Sequence, residues 1–352
     1  MRLIGVDKLQ EGMVVAKTIF RADGSVVINK DAVVKNSFIN KLYNMGISEV
    51  FIRTEGTENI ELEDIVLEDT RNKVNIVMKE TMSHIALSEE MDIEYIKELV
   101  TKILDEIWDI DIIAKNFMDI KSADDYTVVH CINVGILALI TGISLGYNEK
   151  QLKTLGVGAI LHDIGKAKID ESILNKPTKL SNDEFAIMKN HTVKGYEILK
   201  RIPNISAEIC NIALFHHERV DGTGYPYEVR GDAIPEMAKI VSVVDVFDAL
   251  TSDRAYRSKM EIYMVVDYLQ SLKRIQFDSK VVDAFCSNIA LYPSGKRVKL
   301  NDGQKGFIVV TSRKNLSKPM VMITHGYDSI KKATPYLLNL MEYEDIYVED
   351  VL

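Results

Sequence analysis

Five of the chain's seven histidines, His130, His162, His191, His216 and His217, fall within 88 of its 352 residues. Asp163 follows His162 directly, and Asp245 lies downstream in VSVVDVFDAL. Neutral imidazole and carboxylate form a ligand set that suits zinc, iron or manganese. The lack of cysteine at these positions argues against a purely structural zinc site. Any one of these histidines alone reads as a packed core or surface residue, but five of them with two aspartates read as a metal centre. Neighbouring side chains on a helix point about 100° apart. His162 and Asp163 would therefore flank two ions, with the carboxylate bridging them, and His216-His217 repeats the arrangement. Two ions about 3.5–4 Å apart can share a hydroxide and clamp a phosphate during in-line attack.

Other residues could serve the same chemistry. Lys166 stands one turn after His162. Arg254 and Arg257 are three apart and share a face if that stretch is helical, and a guanidinium fork matches phosphate oxygens. A solvated helix face would have the same spacing. The run GTGYP, with Gly222, Gly224, Tyr225 and Pro226, makes a rigid loop with open backbone, although a plain helix-to-helix turn uses the same residues.

The elements that must position these groups divide the chain into four segments. Residues 1–60 read as a small α/β unit: VVAKTIF and SVVINKD flank a turn signal at Ala22-Asp23-Gly24, Asn36 to Met45 has a helical pattern closed by Gly46, and SEVFIR follows as a strand. Residues 61–120 carry apolar positions at three-to-four spacing and read as a helical connector. His84 falls there as a surface or packing histidine. Residues 121–290 read as helix after helix, the chemical segment. Residues 291–352 become β-rich, with KRVKL, the turn NDGQK, GFIVVTS and MVMIT, and a loop position for His325.

At the histidines the chain resembles the HD-GYP family within the HD superfamily of metal-dependent phosphohydrolases. HDIGK at 162–166 and HHERVDGTGYP at 216–226 carry the resemblance, supported by YTVVHCINV at 126–134, Asn190-His191 and IPEMAKIVSVVDVFDALTSDRAYR at 234–257. It covers about half the chain; HD alone is a weak signal, but the long paired motif is specific. The resemblance implies a mainly α fold, an all-helical HD-type catalytic bundle with small β-containing units at both ends. It implies hydrolysis of cyclic di-GMP to linear pGpG or GMP. His130, His162, Asp163, His191, His216, His217 and Asp245 would be metal ligands, and Lys166 would hydrogen-bond the phosphate or attacking water. Asp124 would orient the nucleophile, Arg254 and Arg257 would hold phosphates, and Gly222, Gly224, Tyr225 and Pro226 would lie beside the guanine. The implied metals are iron or manganese, with zinc or magnesium as alternatives. Members with three metals place a glutamate four residues before the first histidine. Here that position is Tyr126, with Asp125 beside it on another helix face, so two ions are expected. A hydrolase of a cyclic GMP-AMP hybrid and a non-catalytic cyclic di-GMP receptor are the rivals. The receptor would be marked by missing ligand residues, and none is missing.

Composition agrees with this reading. Hydrophobic residues make up 47%, and 43 Lys and Arg against 52 Asp and Glu give a net charge of −9. An acidic chain is a poor binder of polymeric nucleic acid but can take a small anionic nucleotide at a local basic cluster. Three scattered cysteines, Cys131, Cys210 and Cys286, suggest no disulfide framework and fit a reducing cytoplasm. No signal pattern opens the chain, and the apolar stretch Val134 to Leu145 reads as a buried helix, so no membrane association is expected. A homodimer or signalling partner proteins are compatible with all of this.

Overall fold

A computed structural model describes residues 2–21, 25–45, 47, 49–53, 66–87, 91–108, 126–252, 259–312, 315–325 and 332–352. In chain order the strands β1 (Arg2–Gly5), β2 (Val14–Val15), β3 (Ile19–Phe20) and β4 (Val26–Ile28) come first, then helix α1 (Asn36–Asn44) and strand β5 (Glu49–Arg53). Eleven α-helices follow among the described residues: α2 (Glu68–Ala86), α3 (Ile93–Trp108), α4 (Tyr126–Ser144), α5 (Glu149–Ile160), α6 (Glu171–Leu174), α7 (Asn182–Lys189), α8 (His191–Lys200), α9 (Ala207–Phe215), α10 (Glu236–Thr251), α11 (Ile262–Ser271) and α12 (Ser279–Cys286). The chain closes with β6 (Arg297–Leu300), β7 (Lys305–Ser312), β8 (Asn315–His325), β9 (Lys332–Asn339) and β10 (Val348–Val351). The mainly α class with β-containing ends is as the sequence predicts.

The described residues fall into two compact units. One gathers those up to 53 and those from 287 on; the other holds those from 66 to 286. In the first, β1-β5-β2 and β3-β4 form small antiparallel sheets, the latter across the expected turn, whose residues 22–24 lie outside the described ones. A five-stranded antiparallel sheet is ordered β10-β6-β7-β8-β9 among the described residues. β9 and β10 are not legible in the sequence pattern. β9 is an edge strand that carries Pro335 and exposes Tyr336 and Leu337, so it lacks clean alternation.

The helical unit holds the chemistry. α4 is nearly all buried, packing on α5 and α10, and α5 packs on α3 and α9. Thr127–Ser144 within α4 is long and apolar enough by composition to cross a membrane, more than the shorter run read from sequence, and 78% of it is buried inside the structure. That apolarity serves a protein core crowded by neighbours on every side. Capping boxes set the helix starts that frame the site. Asn148 accepts from the Gln151 backbone N–H at 3.0 Å before α5, and Ser181 accepts from Glu184 at 3.2 Å before α7. Each satisfies N–H groups that the first helical turn leaves open.

Candidate metal centre

The structure brings all five clustered histidines together with Asp163 and Asp245, and six of the seven are buried. His130 lies in the second turn of α4. His162 and Asp163 do not lie on a helix, as the sequence reading supposed, but in the turn that ends α5. His191 stands at the α7–α8 junction, His216 caps α9, and His217 follows it. Asp245 comes from α10.

One pattern unites three of the histidines. His162 Nδ1 bonds Ala159 O at 2.7 Å, His191 Nδ1 bonds Met188 O at 2.8 Å, and His216 Nδ1 bonds Ala213 O at 3.0 Å. Each acceptor is the carbonyl three residues earlier, one that a helix end leaves unpaired. A carbonyl only accepts, so Nδ1 carries the proton and Nε2 presents a lone pair to the centre. His130, inside a helix, has no such free carbonyl nearby. Its Nδ1 bonds Asp248 Oδ2 at 2.7 Å across from α10, and the other Asp248 oxygen accepts from Asn133 Nδ2 at 2.9 Å. Metal-binding histidines are commonly fixed by carbonyls or carboxylates in this way.

Asp163 stands between the imidazoles. Its Oδ1 is 3.2 Å from His191 Nε2 and 3.8 Å from His216 Nε2, while its Oδ2 is 3.4 Å from His162 Nε2 and 3.8 Å from His130 Nε2. Asp245 spans similarly, with Oδ1 3.0 Å from His130 Nε2 and Oδ2 3.6 Å from His217 Nδ1. The donors sort into two groups capable of holding an ion: Asp163, His191, His216 and His217, and His130, His162 and Asp245.

The donor set fits divalent metal. His162 Nε2 and Asp163 Oδ1 are buried and make no hydrogen bond among the described residues. The lone pairs of His191 Nε2 and His216 Nε2 face each other at 3.4 Å, an arrangement that repels until a cation lies between them. The C-terminal ends of α5 and α9 add the negative pole of the helix dipole. Burial pushes the His216 and His217 imidazoles well below their usual range, with neighbouring imidazoles adding to the effect, so both are neutral donors. Burial would raise the Asp163 carboxyl, but Lys166 and His162 outweigh it and hold it well below the carboxylate range. Asp245 is held low likewise, by His130 and His217 against burial. Lys166 Nζ pairs with Asp163 Oδ2.

Residues 114–281 match the family model described as the HD domain. Over these residues the chain is similar to the HD domain family. The chain is 33% identical over 204 residues to a cyclic di-GMP phosphodiesterase of Pseudomonas aeruginosa, covering 58% of this chain and 49% of that one. It is 44% identical over 141 residues to a cyclic di-GMP phosphodiesterase response regulator of Xanthomonas campestris, 40% of this chain and 37% of that one. It is 34% identical over 190 residues to a 3'3'-cGAMP-specific phosphodiesterase of Vibrio cholerae, 54% of this chain and 43% of that one. The chain thus spans half or less of the length of these relatives. A solved HDG"Y"P protein of Bdellovibrio bacteriovorus aligns at TM-score 0.47 and 16% identity, over 81% of this chain and 97% of that one. The HD-GYP resemblance read from HDIGK and HHERVDGTGYP is borne out.

Within the HD domain, the GTGYP loop folds back over the paired histidines. Tyr225 N–H donates to His217 O at 3.3 Å, and the Tyr225 ring stacks on His217 at 4.6 Å. A Cβ at Gly224 would lie 2.4 Å from Glu218 Cα, so only glycine permits this approach. Glu218, buried behind the pair, accepts from Tyr227 N–H at 2.8 Å and pins the far side of the loop. Arg219 reaches Ser242 on α10 and lies over the Phe277 ring at 4.9 Å. The sequence reading missed Asp248, Asn133 and Glu218. Asp248 carried a usable signal: it is one turn after Asp245 in the otherwise apolar stretch VVDVFDAL, on the same face. Asp124, Asp125, Arg254 and Arg257 lie outside the described residues, as does the side chain of Tyr126. His84 and His325 are not part of the cluster.

Proposed function

We propose that the chain is a metal-dependent phosphodiesterase that opens cyclic di-GMP to pGpG or onward to GMP. The observation that carries this reading is Asp163, with one oxygen toward His191 and His216 and the other toward His130 and His162. Such a carboxylate would be shared between two ions. His130, His162 and Asp245 would hold one, and His191, His216 and His217 the other. Nitrogen and carboxylate donors without thiolate suit iron or manganese and admit zinc or magnesium. Tyr126 in place of a glutamate leaves a third ion short of a ligand. Bound there, divalent ions lower the pKa of water and neutralise charge developing on phosphoryl oxygens.

The chain's own groups supply the rest. Lys166, paired with Asp163, would donate to a phosphate oxygen or the attacking water. Asp124 would orient that water, and Arg254 and Arg257 would clamp substrate phosphates through their planar forks. Gly222, Gly224, Tyr225 and Pro226 would border the base. The named activities of the Pseudomonas and Xanthomonas relatives support cyclic di-GMP, whereas the Vibrio relative supports a cyclic GMP-AMP hybrid as the second reading. Three free, buried cysteines accord with the reducing cytoplasm as the place of reaction.

The test is to load the full chain with iron, manganese, zinc or magnesium in turn, supply each dinucleotide, and separate products by chromatography. Linear product from cyclic di-GMP, abolished by chelation, is expected. Faster turnover of the hybrid would move the substrate assignment, and no turnover of either with any metal would leave a binding module.

A further inference from the structure

The sequence of α7, NDEFAIMK, spaces Phe185 and Lys189 four apart, which puts both on one helix face. The Phe185 ring is edge-on to Tyr225, centroids 6.4 Å apart, and remains 46% exposed. Lys189 Nζ sits 4.9 Å from the Phe185 centroid and 5.3 Å from the Tyr225 centroid. Among the described residues no carboxylate lies within ion-pair distance of this ammonium. Nearby Lys176 pairs with Glu184, and Lys194 donates to Lys168 O. Lys189 is instead held between two π faces, which orients a cation without neutralising it. Tyr225 also stacks on His217 and lies 6.4 Å from His191, so an aromatic line runs from solvent at Phe185 to the metal centre.

A half-exposed aromatic ring beside an ammonium without an anionic partner contributes little to stability, because little of the ring is buried. It does match a ligand that has both a flat base and a phosphate. A cyclic dinucleotide carries two of each, so when one phosphodiester lies at the metal centre, a second base and phosphate need a place on the rim. We propose that Phe185 and Lys189 form this rim subsite, Phe185 stacking a purine and Lys189 contacting the phosphate that is not cleaved. This rests on the reading of the chain as a cyclic-dinucleotide phosphodiesterase.

The experiment compares full-length Phe185→Leu, Lys189→Met and Lys189→Arg with wild type. It measures kcat and KM for cyclic di-GMP on metal-loaded protein, Kd for cyclic di-GMP on chelated protein, and metal content. Loss of a stacked base or a phosphate contact should raise KM and Kd about tenfold in Phe185→Leu and Lys189→Met, with a much smaller change in kcat. Lys189→Arg should recover most of the affinity because it keeps the cation. Wild-type KM and Kd in the first two variants, or a loss confined to kcat, would overturn the subsite. A wild-type protein that neither binds nor cleaves cyclic di-GMP would instead overturn the function on which the subsite rests.

Discussion

Asp163 and Asp248 are both buried aspartates at the centre, yet they face different partners. Asp163 points both oxygens at imidazole nitrogens and has one oxygen without a hydrogen bond, whereas Asp248 spends its oxygens on His130 Nδ1 and Asn133. Removing them should therefore give different results. Asp163→Ala should lose both ions and all turnover. Asp248→Ala should free the His130 ring and weaken metal affinity about 10–100-fold, as loss of an outer-shell partner typically does. The loss should fall on one ion of two, because His162, His191 and His216 are oriented by backbone carbonyls that no substitution removes. Metal stoichiometry and titration against a chelating dye on the same preparations will read this. Asp248→Ala with two ions at wild-type affinity would show that His130 is held by packing alone.

Among the elements, the turn from His162 to Lys166 has the tightest fit. Gly165 passes against the first turn of α8, where a Cβ would lie 1.9 Å from His191 O and 2.5 Å from Gly195 N. Both contacts are backbone, so neither can swing aside. Gly165→Ala should cost about 3 kcal/mol, the upper end of ordinary overpacking, and should displace His191 relative to Asp163. Chemical denaturation measures the first effect and metal content the second. A variant of wild-type stability would mean that the turn and α8 separate easily, and the shared carboxylate would then lack its rigid support.

For the whole molecule, the buried imidazoles make stability depend on pH when metal is removed. Burial, reinforced by neighbouring imidazoles, keeps His216 and His217 unprotonated well below pH 6.5. The unfolded chain takes up protons there first, so these two groups cost stability as pH falls through about 6.5. His130 behaves oppositely: Asp245 and Asp248 outweigh its burial and raise it to about 9. Its contribution is full below about 6.5 and is lost as pH rises through about 9. Chelated protein should therefore show a maximum Tm near pH 6.5, with a decline on both sides. Added metal should shift that maximum upward, because it competes with the His130 proton and stabilises only the folded state. Thermal scans from pH 5 to 9.5, with and without metal, will show this; a flat profile in the chelated protein would refute the opposed titrations.

Residue types and spacing alone were enough to pick out the seven histidines and aspartates that converge, the helical segment and the first three strands of the terminal sheet, and the family resemblance supplied the HD and GYP motifs. Those features are written locally: a hydrophobic period, a turn residue or a histidine beside an aspartate needs no distant partner to be seen. Packing decided the rest. His130 meets Asp248 across 118 residues only because α4 lies on α10. The two oxygens of Asp163 face different histidines only because the ends of α5, α7 and α9 converge, and the helical placement expected for the HD pair gave way to a turn that frees the carbonyl of Ala159. Lys189 meets Tyr225 only because the GTGYP loop folds back over His217. The terminal segments, separate in sequence, meet in one unit through Leu3 N–H to Gly295 O at 3.2 Å and Lys296 to Glu49 at 3.5 Å. Local sequence thus determined which groups were available for chemistry, while the direction in which each points was a property of long-range contacts that no short stretch of chain encodes.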